Sequence, residues 1–160
     1  MLSITILCVG RLKESYWREA AAEYLKRLGA FCRPAVIEVE ETRMPDNPSE
    51  AQIAAALEAE GRRLLAKVPS GATVAALCIE GRELSSVQLA ETFSRWTVGG
   101  ASHVVLLIGG SWGLSEEAKR AASLRLSMSP MTFPHQMARI MLLEQIYRAM
   151  QIQHGGKYHK

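Results

Sequence analysis

The sequence predicts an α/β fold, a mostly parallel sheet with helices on both faces, and three observations predict it. Short, near-continuous apolar runs recur at residues 3–9, 73–79 and 103–109, as strands buried on both sides require. Stretches with a three-to-four-residue apolar period separate them. The two patterns alternate along the whole chain, with no internal repeat or low-complexity segment to suggest a boundary, so residues 1–160 read as one domain.

Each element has its own signal. SITILCV (3–9) is a buried strand ended by Gly10. Between Glu14 and Leu28, Tyr16, Trp17, Ala20, Ala21, Tyr24, Leu25 and Leu28 fall at helical spacing, and Gly29 closes the helix. AVIEVE (35–40) alternates apolar and acidic residues, the mark of an edge or half-exposed strand. Glu41–Pro48, with two prolines, is a loop. Ser49 with Gln52 and Ser85 with Gln88 each have capping-box spacing, opening helices that run to about Lys67 and Thr97. TVAALCI (73–79) is a strand expected to end at Gly81, and HVVLLIG (103–109) is the next. Ser115 caps a short helix, LRLSM (124–128) is a fifth strand, and a last helix spans roughly Gln136 to Ile152. The closing HGGKYHK is ordered only if it docks.

Composition narrows the class further. The chain has 160 residues, 48% hydrophobic and 22% charged, which excludes disordered and fibrous types. Cys8, Cys32 and Cys78 are odd in number and widely spaced, so free thiols in a reducing compartment are expected, with Cys8 and Cys78 buried. No run approaches the ~20 apolar residues of a membrane span, and the expected location is the cytoplasm. The formal charge of +3 is unevenly placed: residues 119–160 hold seven Lys/Arg against Glu144 alone, and the remainder holds 12 basic and 15 acidic residues. That asymmetry suits a polyanionic partner, though a solvated basic helix accounts for it equally.

Three segments have the residue types for chemistry. The strand–loop–helix VVLLIGGSWGLS places Gly109, Gly110 and Gly113 where an open α/β sheet binds ligands, beyond the carboxyl ends of its strands. It matches neither phosphate-binding glycine motif, and a tight turn alone would also explain the glycines. The Pro-bracketed loop SPMTFPH (129–135) has fixed geometry and backbone groups to offer, although simple connection is the commoner use of such a loop. His135 reads there as a capping or packing residue, and no histidine falls at metal-ligand spacing with a cysteine. The tail, Lys157-Tyr158-His159-Lys160, combines a stacking ring with cations, as RNA recognition uses. Met128, Met131, Met137, Met141 and Met150 read as core or interface filler. The last helix is apolar over so much of its surface that a second subunit is expected against it.

At LLIGGSWGLS, SPMTFPHQMAR, LEQIYRA and the closing YHK the sequence resembles the ribosomal large subunit methyltransferase H family. These are small enzymes of the SPOUT, or trefoil-knotted, superfamily, and the resemblance runs from ITILCVGRLKESYW to the last residue. It implies a C-terminal trefoil knot, a homodimer, S-adenosylmethionine as methyl donor, and N3 of a pseudouridine in 23S rRNA of the assembled ribosome as acceptor. No metal and no membrane partner are expected, from the histidine spacing and the short apolar runs. Carried over by position, the cofactor site falls on Leu77, Gly109, Ser129, Pro130, Met131, Thr132, Phe133 and Pro134. Arg139, Tyr158 and His159 take the catalytic positions, and Arg148, Lys157 and Lys160 face RNA, with either subunit of the dimer able to supply the tail. The family often has a Pro and an acid where this chain has Ser111 and Trp112, so no catalytic role falls on those two. A Pro commonly precedes Tyr-His where Lys157 stands here.

The chemistry implied is alignment of the acceptor nitrogen with a methyl sulfonium and removal of the imide proton. His159 has the residue type for the base and Arg139 for steadying the negative charge on the ring. A rival reading is a non-catalytic ribosome- or RNA-binding module of the same fold. A dinucleotide-dependent Rossmann enzyme lacks its glycine fingerprint here.

Overall fold

The computed structural model describes all residues 1–160. Five parallel strands form one sheet in the order β2-β1-β4-β3-β5: β1 Ser3–Val9, β2 Arg33–Val39, β3 Thr73–Glu83, β4 His103–Ile108 and β5 Leu124–Ser127. Five helices connect and follow them: α1 Ser15–Leu28, α2 Glu50–Leu65, α3 Ser86–Val98, α4 Glu116–Ala121 and α5 His135–Gln153. The acidic-apolar strand β2 lies at the edge, as its alternation requires. Both expected capping boxes form, with Ser49 Oγ and Ser85 Oγ each accepting the backbone N–H three residues on.

Period-two alternation divides the strand side chains between two cores. On one face Ile4, Ile6, Cys8, Val104, Leu106 and Ile108 pack with α1, α3 and α5. On the other Leu7, Val9, Val105 and Leu107 pack with α2 and α4. Leu142, Leu143, Ile146, Ala149 and Met150 of α5 are all buried within the chain, so much of that helix's wide apolar surface is used against its own α1 and α3. Of the methionines read as filler, Met150 is buried, whereas Met131 and Met137 are exposed at 72% and 38%. Cys8 and Cys32 are buried free thiols, but Cys78 is only half-buried.

The clearest departure from expectation is in β3. The strand does not stop at Gly81 but continues to Glu83, with a register shift against β5: both Leu77 and Arg82 pair with Leu126. Residues 78–81 are thereby looped out of the ladder, the kind of bulge that re-aims side chains. Gly81 is what allows it. A β-carbon there would lie 2.8 Å from the backbone of Arg125 and Leu126, so the two strands approach closely only because that atom is missing. A second close approach fixes the other layer, where a β-carbon on Gly61 of α2 would lie 2.2 Å from Ser115 Oγ. Ser115 is the N-cap of α4 and accepts from the Ala118 N–H, so the α2–α4 contact also holds the end of the glycine turn.

Gly81→Ala is expected to force β5 away from β3 and destabilise the protein by about 1–3 kcal/mol, the usual cost of overpacking. Urea unfolding checks the magnitude; a shift below about 0.5 kcal/mol would mean that β5 yields without cost.

Candidate functional site

At the carboxyl ends of β3, β4 and β5 lies a cleft of about 830 Å³, within the range of small-molecule sites. One wall is the β3 bulge, Leu77 to Glu80. A second is the β4–α4 turn, Gly109 to Leu114. The third is the loop after β5 leading into α5, Met128 to Gln136. Leu77, Gly109, Ser129, Met131, Thr132, Phe133 and Pro134 all line it; of the eight residues expected to hold a ligand, only Pro130 does not.

The turn resolves the two readings of its glycines into one. A β-carbon on Gly109 would lie 2.2 Å from the Gly113 carbonyl oxygen, and Gly113 has φ +86°. Both glycines are therefore demanded by the turn itself, and the tight turn they make is a wall of the cleft. The loop is shaped in turn by Ser129, whose Oγ accepts the Met131 N–H, and by Ser127, whose Oγ donates to the Ser129 carbonyl. The Thr132 and Phe133 N–H groups have no hydrogen-bond partner within the chain. Met131 (72% exposed), Trp112 (54%) and Ile79 (50%) are among the most exposed large apolar side chains and lie around this one opening. Apolar rims with free backbone donors are what a planar heterocycle recruits.

Sequence reasoning missed several residues of this cleft. Cys78, Ile79 and Glu80 enter it only through the bulge. Lys119 of α4, paired with Glu80, closes the same side. His135, read from sequence as a cap, lines the cleft at the first residue of α5; its position after Pro134 was the signal available.

A second, polar cleft adjoins the first, lined among others by Gly10, Arg11, Lys13, Glu41, Arg43 and Glu60. Ser111 and Trp112 border both. Glu60 Oε2 accepts the Thr42 N–H at 2.8 Å, and burial pushes its carboxyl above the ordinary range.

Arg139 does not line either cleft. Its guanidinium is 2% exposed, lies 2.6 Å from Glu38 Oε2 and donates to the Gly10 carbonyl at 3.1 Å. Nε is buried without a partner. In place of a free cation for the acceptor ring, the structure has a buried strut joining α5 to the ends of β1 and β2.

The tail is docked, but not at the cleft. Tyr158 packs edge-on against Tyr147 and its hydroxyl donates to Glu144 Oε1 at 3.0 Å. Arg148 is paired with Glu144 at 2.7 Å, lies over the Tyr158 ring and is 3.2 Å from His159 Nδ1. Glu144 and Arg148 are nine and thirteen residues along α5 from His135, or about 14 and 20 Å at the helical rise. Within one chain, therefore, Tyr158 and His159 lie away from the cleft they were expected to serve, while Lys157 and Lys160 are exposed.

Glu38→Gln leaves a buried guanidinium without its counter-charge and should cost on the order of 3 kcal/mol in urea unfolding; an unchanged midpoint would refute the strut. A second expectation concerns pH. Burial, and then Arg139, lower the His135 imidazole below its ordinary value of 6.5. A depressed histidine disfavours protonation only in the folded state, so its stability contribution is complete above about pH 6.5 and is lost as pH falls from there through the lower folded-state value. His135→Asn should lessen the loss of stability between neutral and mildly acidic pH; an identical pH dependence would contradict it.

Comparison with known proteins agrees with this geometry. The family model described as "Predicted SPOUT methyltransferase" matches residues 2–159. Among solved structures, a methylase family protein of Haemophilus influenzae Rd KW20 superposes with a TM-score of 0.53 at 17% identity, over 98% of this chain and 70% of that one. A methyltransferase of Legionella pneumophila, solved with the cofactor SAM bound, gives 0.50 at 14% identity, over 95% and 66%. At such identities the two structures speak for the fold. Joined to a family match over nearly every residue, the parallel sheet and its carboxyl-end cleft identify the chain as a member of the SPOUT methyltransferase family.

Proposed function

We propose that this protein transfers a methyl group from S-adenosylmethionine to N3 of a pseudouridine in 23S rRNA of the assembled ribosome, acting as a cytoplasmic homodimer. The observation that carries the donor half is the cleft: seven residues expected from family position line one cavity. The residues present fit the donor. Leu77, Ile79, Met131 and Phe133 offer apolar cover for an adenine, and the unpartnered Thr132 and Phe133 N–H groups offer its ring nitrogens donors. Bound there, S-adenosylmethionine supplies an electrophilic methyl sulfonium; the chain's part is to fix it and to align the acceptor. The trefoil knot belongs to the same reading, as the route by which the 128–134 loop comes to lie beside β3 and β4.

The acceptor half rests on the C-terminal residues. Tyr158 offers a stacking face, and Arg148, Lys157, His159 and Lys160 form an RNA-facing group of the kind that contacts bases and phosphates. Since the docked tail lies about 14–20 Å along α5 from its own cleft, it serves a neighbouring protomer's cleft in the dimer. Arg139 supports the reaction indirectly, by holding the first turn of α5 against Gly10.

The test is transfer of labelled methyl from S-adenosylmethionine to intact ribosomes lacking the modification, followed by nucleoside analysis. Label in N3-methylpseudouridine is expected. Label in another nucleoside would replace the acceptor. Absence of label together with absence of cofactor binding would leave an RNA-binding module of this fold.

A further inference from the structure

The boundary between the two clefts contains a titratable cluster that the reading above does not use. His135 lines the apolar cleft. Its Cε1 lies 3.5 Å from where a β-carbon on Gly10 would stand, and Glu41 Oε2 lies 3.8 Å from the same point. Gly10 and Glu41 line the polar cleft, and Glu41 Oε1 also approaches Gly110 of the glycine turn, 3.7 Å from the position of its missing β-carbon. Imidazole and carboxylate thus flank one glycine at the point where the clefts meet. A β-carbon on Gly10 would meet both at ordinary contact distance, and it is the φ of +90° that favours glycine there.

The other histidines are elsewhere. His103 begins β4 at the opposite end of the sheet and meets Thr5 Oγ1 at 2.8 Å. His154 ends α5, with Nδ1 2.8 Å from the Met150 carbonyl and its ring near Phe31. His159 is beside Arg148. In a single protomer, His135 is the one imidazole at the cofactor cleft.

From this placement we infer that His135 takes the proton from the acceptor nitrogen in the protomer that holds the donor, and that Glu41 balances the charge the ring then gains. The inference rests on the methyl-transfer reading of the cleft. In the step, the acceptor N–H bond gives its electron pair to nitrogen as the proton passes to the imidazole. Nitrogen forms the new bond to the methyl carbon, the carbon–sulfur bond breaks, and its pair stays on sulfur as neutral S-adenosylhomocysteine. The imidazolium then releases its proton to water.

The surroundings suit a base that is neutral at working pH. His135 is the first residue of α5, where the positive end of the helix disfavours imidazolium. Burial and Arg139, four residues on, act in the same direction, while Glu41 and Glu14 oppose them. Arg139 itself is paired with Glu38, which tempers its influence.

Two measurements test the inference, the first without turnover. The His135 ring resonances of the full-length protein are titrated by NMR with S-adenosylmethionine and with S-adenosylhomocysteine. The sulfonium cation should depress the His135 titration below that seen with the neutral thioether; coincident curves, with both ligands bound, would place the ring away from the reacting sulfur and overturn the inference whatever the acceptor. The second is single-turnover transfer to ribosomes. His135→Gln should lose at least about 100-fold in rate, as removal of a general base does, with S-adenosylhomocysteine affinity retained and the acid limb of the pH profile abolished. A His135→Gln variant that keeps the wild-type rate and acid limb, while His159→Ala loses them, would transfer the role to the tail. Failure of wild-type enzyme to label ribosomes would count against the acceptor reading only, and the titration would still decide the role of His135.

Discussion

The site depends on one packing constraint: the close passage of β3 over β5 at Gly81. Because no β-carbon stands there, β3 can slip its register and pair Leu126 twice, once through Leu77 and once through Arg82. The residues expelled from the ladder, Cys78 to Glu80, become the wall of the cleft. A regular strand would hold the sheet together equally well but would bury those side chains or aim them alternately to either layer. The cleft is thus a consequence of local register, and the glycine turn after β4 and the loop after β5 complete what the bulge begins.

The opposite wall is anchored electrostatically. Arg139 reaches from the second turn of α5 to the Gly10 carbonyl and to Glu38, tying the helix start to the ends of two strands. A buried guanidinium is costly unless paired, so this cluster specifies where α5 begins more than it adds net stability. Fixing α5 fixes His135 at its first residue and the Pro134 end of the loop. The docked tail continues the same helix at its far end, where Glu144 collects Arg148 and the Tyr158 hydroxyl. One helix therefore holds the cleft-lining His135 at its start and the docked tail about 14–20 Å further along.

Much of this was legible in the residues. The apolar runs, the two capping boxes and the edge character of β2 follow from local patterning, which tertiary packing here reinforces. The assignment of loops to a cofactor came from resemblance alone, and the structure shows that Leu77, Gly109 and residues 129–134 other than Pro130 line one cleft. What sequence could not give was anything set by contact between distant segments. Gly81 reads as a stop, yet it is a point of close approach to Arg125, 44 residues later. Arg139 reads as a free cation on a helix, yet its partner is Glu38, 101 residues away. His135 reads as a cap because its neighbour Gly10 lies at the other end of the chain. Burial and pairing of this kind come from topology, and periodicity carries no record of them.

We propose that the bulge, the glycine turn and the 128–134 loop together form the donor site. The most direct measurement is a crystal structure with S-adenosylhomocysteine bound. Its adenine is expected between Leu77 and the 129–134 loop, accepting hydrogen bonds from the Thr132 and Phe133 backbone, with its sulfur toward His135. Density for the ligand in the polar cleft beside Glu41 and Glu60, with the apolar cleft left to solvent, would contradict it.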